Sequence, residues 1–293
     1  KAQTLKSVLA GHVHFQDFII SVPTFNNQSS ITYKGMELFT QFPEGCFWRP
    51  PTDNDGVKQG WMSKVSGVRR KWIQEGLNKL DIKRDFAYTE SLTEGDYLQI
   101  KSEYQGTNAK ATHISVIWAE GNLINFYETF HIPYEWDDLP RVGMRFEISA
   151  EFSDLEWLGR GPLESYPDRC NSQLISRWKS TVDNQYHPYV VPQDNGAHQD
   201  TQWFSLINNQ GDQLKFNIAN ASSFSASSMH DMDLSESLTI SQLEAKPTTE
   251  VHVDAAIRGL GTGACGPDTL EEFRLRSGTY EMAWSLEVLP AKH

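Results

Sequence analysis

The sequence predicts an all-β protein, a large antiparallel β-sandwich with one short helix, and three observations predict it. Apolar residues recur with a period of two in segment after segment. Turn-forming clusters of Gly, Asn, Ser and Pro separate those segments. A helical period appears in one place only.

Taken in chain order, the helical signal comes first. Trp61, Val65, Val68 and Trp72 are spaced by four, three and four, which marks one face of a helix. Gly60 and Gly67 weaken it, so the helix is expected to begin near Ser66 and end by Gly76. Leu98, Ile100 and Tyr104 then alternate with Gln99, Lys101 and Glu103, as in a strand with one face on a core. Leu123 to Ile132 is nearly apolar on both faces through Ile124, Phe126, Tyr127 and Phe130, the pattern of a central strand. Val142, Met144, Phe146 and Ile148 alternate with Gly143, Arg145 and Glu147, and Leu214, Phe216 and Ile218 with Gln213, Lys215 and Asn217. Tyr280, Met282, Trp284, Leu286 and Val288 close the series. Turns fall at Glu120-Gly121-Asn122, Asn208-Asn209-Gln210-Gly211 and Arg276-Ser277-Gly278. No repeat, low-complexity stretch or linker divides the 293 residues, so one domain over 1–293 with its core at about 12–289 is expected.

Composition narrows the function classes. Thirty-eight acidic residues against 26 basic ones give a net charge of −12, which disfavours nucleic acid and anionic membranes as partners. No run approaches the ~20 apolar residues of a membrane span, and residues 1–14 lack the apolar centre of a secretory signal. The chain starts at Lys1 rather than Met, as expected of a processed protein or a piece of a longer one. Cys46, Cys170 and Cys265 are far apart and form no CxxC or Cys/His metal spacing. Free thiols suit a reducing compartment, so a cytoplasmic location is expected.

Catalytic constellations are wanting. A glycosidase needs two carboxylates about 5–5.5 Å or roughly 6.5–9.5 Å apart. Asp137 with Asp138, and Glu271 with Glu272, are adjacent residues that would point to opposite faces of a strand. Asp53 and Asp55 could converge, but the flanking Pro50-Pro51 and Gly56 read as a turn whose Asx side chains cap the backbone. His12 and His14 would share a strand face without a third ligand nearby, which reads as a solvated pair. The serines of 222–228 lack a nucleophile elbow. Gly259-Leu260-Gly261-Thr262-Gly263 precedes no crossover helix, so it reads as a loop whose backbone passes close to something rather than as a dinucleotide site. No catalytic residue and no metal ligand is assigned.

Three loop strings are more distinctive: Phe47-Trp48-Arg49-Pro50-Pro51-Thr52-Asp53-Asn54-Asp55, then 157–169 (WLGRGPLESYPDR), then 188–196 (PYVVPQDNG). Each mixes aromatic rings with Arg, Asp, Glu or Asn and is pinned by Pro or Gly. Rings pack on the apolar face of a pyranose while fixed polar groups bind its hydroxyls, the chemistry of a carbohydrate cleft. The alternative is that these groups tie loops together, for example Asp168 to Arg169 or Asp53 to buried backbone.

In this order, and with 261–268 (GTGACGPD) following, the strings resemble the C-terminal domain of the large β-galactosidases of glycoside hydrolase family 2, which is also the small chain of two-subunit members. The resemblance runs from about His12 to Leu289. It implies a sandwich of the galactose-mutarotase-like superfamily that packs beside a separate (β/α)₈ barrel or large subunit. That barrel carries both catalytic glutamates and the magnesium and sodium sites, so no cofactor is expected in this chain. The domain lends a loop to the rim of the galactoside site and belongs to an oligomer. Some members carry a Trp on the glycine-rich loop that stacks on the aglycone sugar, whereas this sequence reads Ala264-Cys265-Gly266. Losing the ring weakens aglycone stacking by ~1–3 kcal/mol. Cys265 and Gly266 are therefore the rim candidates, with a small buried residue as the alternative for Cys265. The superfamily also offers an aldose 1-epimerase reading, in which Arg49, Glu164, Tyr166, Arg169 and His198 line an open cleft. A third reading is a purely structural oligomerisation domain.

Overall fold

A computed structural model describes residues 6–7, 11–22, 29–58, 67–89, 96–220, 223–261, 263 and 267–291. Among them, strands form three antiparallel sheets. The largest has ten strands in the order Lys6–Ser7, Asp81–Thr89, Tyr97–Gln105, Lys110–Glu120, Leu123–Ile132, Gly278–Leu289, Gln213–Ile218, Trp203–Ile207, Asp154–Gly161 and Leu174–Thr181. A five-stranded sheet runs His198–Gln199, Ser223–Ser227, Thr248–Ile257, Arg141–Ser149, Gln41–Cys46. A four-stranded meander joins Gly11–Phe15, Phe18–Val22, Ser30–Tyr33 and Met36–Glu37.

The two larger sheets form the sandwich, and aromatic rings are the glue between them. Phe146 of the five-stranded sheet lies 5.4 Å from Phe216 and 5.5 Å from Trp284 of the ten-stranded sheet. Phe224 stacks on Phe204 across the same gap at 4.3 Å. Such pairs add about 0.5–1.5 kcal/mol each beyond their buried area. Trp48, Trp72, Trp136, Trp157 and Trp284 are all buried, so much of the aromatic supply is core. The all-β antiparallel expectation is met. At the sheet edge, Leu174–Thr181 carries Arg177 and Lys179, charges that discourage pairing with another strand.

Two local expectations need correction. Leu123–Ile132 sits centrally in its sheet but is buried on one face only, and Tyr127 on the other is 37% exposed. A central place among hydrogen-bonded neighbours does not cover both faces, because an antiparallel sheet can leave one to water. Its buried face even carries Glu128, held by His113 at 2.7 Å and Trp284 Nε1 at 3.0 Å. The helix is Arg69–Gln74, shorter than expected at its start, with Trp72 buried and the chain turning at Gly76 (φ +78°). Trp61, Val65 and Ser66 lie outside the described residues. A second helix, Asp231–Glu236, was not anticipated, being too short for a periodic signal. No helix among the described residues is long and apolar enough to cross a membrane.

Antiparallel pairing decides where the distinctive loops go. Cys46 pairs with Gly143, and Arg141 pairs with Ile257. The exits of two strands and the entrance of a third therefore share one end of the five-stranded sheet. There the loop after Cys46 meets the loop after Ile257.

Candidate functional site

Arg49 leads the first loop into the protein rather than out of it. It is fully buried, and its guanidinium forks onto Asp55, with both contacts at 3.0 Å. Asp55 also accepts the Thr52 N–H at 2.8 Å and the Thr52 hydroxyl at 3.0 Å, closing a turn. Asp55 is thus consumed inside the protein while Asp53 lines a cavity, so the two carboxylates diverge. Arg258, just after the strand Thr248–Ile257, completes the network. It forks onto Asp138 at 2.6 and 3.0 Å and reaches Asp55 at 3.3 Å and Asp268 at 2.9 Å. Trp72 lies against both guanidinium groups, 5.5 Å from Arg49 and 5.8 Å from Arg258. Buried pairs of this kind add little net stability over apolar packing, but removing one partner costs ~3–5 kcal/mol. The network therefore holds the loops in one arrangement.

The glycine-rich loop is tied down by Asp168. That carboxylate accepts the N–H groups of Leu260 at 3.0 Å and Gly261 at 2.7 Å, and the Thr269 hydroxyl at 2.7 Å. A Cβ on Gly259 would lie 2.6 Å from Asp168 Oδ2, and one on Gly261 (φ +83°) would lie 2.7 Å from Asn54 Nδ2. The glycines thus let backbone approach protein groups, and what the loop passes close to is Asp168 and Asn54.

Cross-ties bring the three strings together. Asn54 Nδ2 donates to the Leu260 carbonyl at 3.0 Å, the Asp53 N–H to Gln193 Oε1 at 3.2 Å, and the Asp194 N–H to the Pro50 carbonyl at 3.2 Å. Between them opens a cavity of about 430 Å³ lined by Thr52, Asp53, Asn54, Arg169, Tyr189, Val190, Val191, Gln193, Leu260, Gly261 and Gly263. Its wall is apolar at Val190, Val191 and Leu260, with amide, carboxylate and guanidinium groups beside them. A sugar ring needs both kinds of neighbour.

The candidates chosen from sequence divide around this cavity. Arg169 lines it, lying 5.5 Å over the Tyr166 ring and pairing with Glu164 and the Tyr189 hydroxyl. Its partner is thus Glu164 rather than Asp168. Glu164 also accepts from the Tyr189 hydroxyl and from the Gly196 N–H at 2.9 Å. It lines a second cavity of about 300 Å³ with Arg169 and His187. Burial, and then Glu164, push the Tyr189 phenol up to about 12. Tyr166 is fully buried, and burial pushes its pKa well up. His198 is 1% exposed, packed against Trp157 at 4.4 Å and Phe224 at 5.3 Å, with the Gln185 amide 2.8 Å from its Nε2. Burial pushes its pKa down to about 4. Arg49 and His198 are therefore internal groups that do not line either cavity, while Arg169 and Glu164 do. Cys265 and Gly266 lie outside the described residues.

The cavity residues Asn54, Tyr189, Val190 and Gln193 belong to the quoted strings without having been singled out. Their signal was position: each sits within three residues of a proline that fixes its loop. Arg258, which braces the site, carries no such mark, and Asp138, two residues before Pro140, is considered from sequence only as a partner of Asp137.

The family model described as Beta galactosidase small chain matches residues 24–286. The chain belongs to the β-galactosidase small-chain family. Among curated relatives it is 27% identical over 274 residues to "Beta-galactosidase" of Arthrobacter sp. (strain B7), covering 86% of this chain and 26% of that protein. It is 28% identical over 264 residues to "Beta-galactosidase" of Kluyveromyces lactis, covering 88% and 25%. This small-chain family member thus spans about a quarter of the length of these relatives. Among solved structures, it is similar to a galactose mutarotase-like protein from Lactobacillus casei ATCC 334, at 11% identity and a TM-score of 0.38 over 97% of this chain and 100% of that one. It is also similar to the α-galactosidase from Lactobacillus brevis, at 10% identity and 0.40 over 99% and 40%. Neither likeness bears on function.

Proposed function

We propose that this small-chain domain packs beside the catalytic barrel of a β-galactosidase, or a large subunit carrying it, and lends the loops around the 430 Å³ cavity to the rim of the sugar site. The observation that carries this reading is the convergence of motif loops 140 and 206 residues apart, joined by Asp53–Gln193 and Asn54–Leu260, on one half-apolar, half-polar cavity. Hydrolysis of terminal β-D-galactosides by double displacement would run on the barrel's two glutamates, with the magnesium and sodium held there. This chain supplies contacts to the sugar beyond the scissile bond. The assembly is an oligomer in the cytoplasm, and the isolated chain does not turn over substrate.

Steady-state kinetics of the intact enzyme test the rim assignment. Gln193→Ala and Val190→Asp are expected to raise KM for lactose about 2–10-fold, the worth of one lost hydrogen bond or contact, with kcat on a nitrophenyl galactoside little changed. Unchanged KM for both substrates in both variants would remove the cavity from the sugar site.

The aldose 1-epimerase alternative fares less well on geometry. It needs a free Glu base and a His acid facing one cleft, but both Glu164 oxygens are engaged and His198 is enclosed. Polarimetry on fresh α-D-galactose separates the two readings, because accelerated mutarotation scaling with this chain would favour the epimerase.

A further inference from the structure

The outward face of the five-stranded sheet carries a layer of charges away from the cavity. Glu147 and Glu250 are directly opposite each other on neighbouring strands, a pairing of like charges that is destabilising unless something sits between them. The groups around Glu250 do not lie between the two carboxylates: its Oε1 accepts the Asp231 N–H at 2.7 Å and lies 3.6 Å from His252 Nε2. Arg145 is on Glu44 at 2.5 Å and reaches Glu250 only at 3.9 Å, while Lys246, which faces Glu147, pairs with Asp233 at 2.9 Å.

His230, the residue preceding the helix Asp231–Glu236, closes the group. Thr248 donates its hydroxyl proton to Glu147 Oε2 at 2.7 Å, so its oxygen accepts from His230 Nε2 at 3.3 Å, as does the Thr248 carbonyl at 3.3 Å. The Nε2 proton is thereby fixed. Nδ1 is left facing Glu147 Oε1 at 3.7 Å, too far for a hydrogen bond. A ring N–H held by a backbone carbonyl, with the other nitrogen turned toward carboxylates, is how proteins orient a metal-binding histidine. One ligand atom from each of Glu147, His230 and Glu250 lies within 4.8 Å of the other two. Tetrahedral zinc with bonds of 2.0–2.2 Å sets ligand atoms about 3.4 Å apart, so only a small inward shift is required. Glu147 and His230 are partly open to solvent, which gives an ion an entry path.

The neighbouring group Asp231, Glu250 and His252 fails the same test. Arg141 Nη1 lies 2.8 Å from His252 Nδ1, so that nitrogen accepts and Nε2 holds the proton where a metal would need a lone pair.

We propose that Glu147, His230 and Glu250 form a binding site for a divalent transition-metal cation of the zinc class, clipping two strands to the segment ahead of the second helix. One imidazole and two carboxylates suit zinc, with solvent completing the coordination. No local spacing announces the site, because its ligands come from positions 147, 230 and 250.

Isothermal calorimetry of the tag-free, EDTA-treated chain with zinc chloride is the test. One Zn²⁺ per chain is expected, weakened about 100-fold in His230→Gln and Glu147→Gln and about 10-fold or less in Thr248→Val, which removes the hydroxyl on Glu147 and His230 but keeps the carbonyl that also holds Nε2. His12→Gln/His14→Gln should leave it unchanged. No stoichiometric uptake, or equal uptake in the Glu147 and His230 variants, overturns the site. Should those variants fail to fold, the wild-type ¹H–¹⁵N spectrum decides. Zinc must shift the His230 Nδ1 resonance, and binding that leaves it in place contradicts the proposal.

Discussion

The Asp168 carboxylate accepts the backbone N–H of Gly261 at 2.7 Å across 93 residues of sequence, and through this contact the glycine-rich loop keeps its place. Asn54 Nδ2 also ties the Leu260 carbonyl at 3.0 Å, but Asp168 takes up the two backbone donors of the loop at 260 and 261.

Asp168→Ala is expected to cost roughly 2–4 kcal/mol, since it strands two backbone donors and the Thr269 hydroxyl. Urea unfolding gives the stability, and hydrogen exchange at Gly261 should quicken selectively. Retained protection there would mean that the loop has another anchor.

Gly259→Ala places a Cβ 2.5 Å from Thr269 Oγ1 and 2.6 Å from Asp168 Oδ2. A loss of about 1–3 kcal/mol is expected from overpacking. Gly121→Ala meets no atom within 4 Å and should cost only the ~1–2 kcal/mol of its left-handed backbone at φ +62°. Differential scanning calorimetry measures both, and a Gly259→Ala melting temperature equal to that of the wild type would show that the Gly259 contact is soft.

Arg258→Met removes the partner of Asp138 and leaves Asp55 with Arg49 alone. The expected cost is ~3–5 kcal/mol, and Arg258→Lys should recover only part of it, because an ammonium cannot make the fork. Full recovery by Lys in denaturant titrations would show that charge alone suffices.

The pH response centres on Asp194. Burial pushes its pKa up to about 6, against the pull of Arg141 and Arg49, from an ordinary 3.8. Between these values the folded chain binds a proton that the unfolded chain does not. The contribution of this group, on the order of 2–3 kcal/mol, is therefore present at low pH and lost as pH rises toward 6. Urea unfolding from pH 4 to 8 should show that slope in the wild type and a flatter one in Asp194→Asn. Parallel profiles would place the titration elsewhere.

The strands were legible because burial follows the period-two pattern, as at Val142 to Ile148 and Leu98 to Tyr104. The site was legible only as strings. That the loop after Cys46 meets the loop after Ile257 depends on antiparallel register, which brings Cys46 beside Gly143 and Arg141 beside Ile257. Register is a long-range property that no local pattern encodes. Arg49 and His198 looked like cleft residues because their types suit sugar binding, but side-chain type does not reveal whether a residue turns inward. Glu128 makes the same point from the core, as a charged residue in an apolar run kept by His113 and Trp284.

Turnover of a nitrophenyl β-galactoside by this chain alone and by the chain joined to the catalytic barrel proposed for it tests the central claim most directly. No hydrolysis by the purified chain is expected, with activity appearing in the assembly and dropping for lactose in Gln193→Ala. Hydrolysis that survives repurification and scales with the isolated chain would contradict the division of labour.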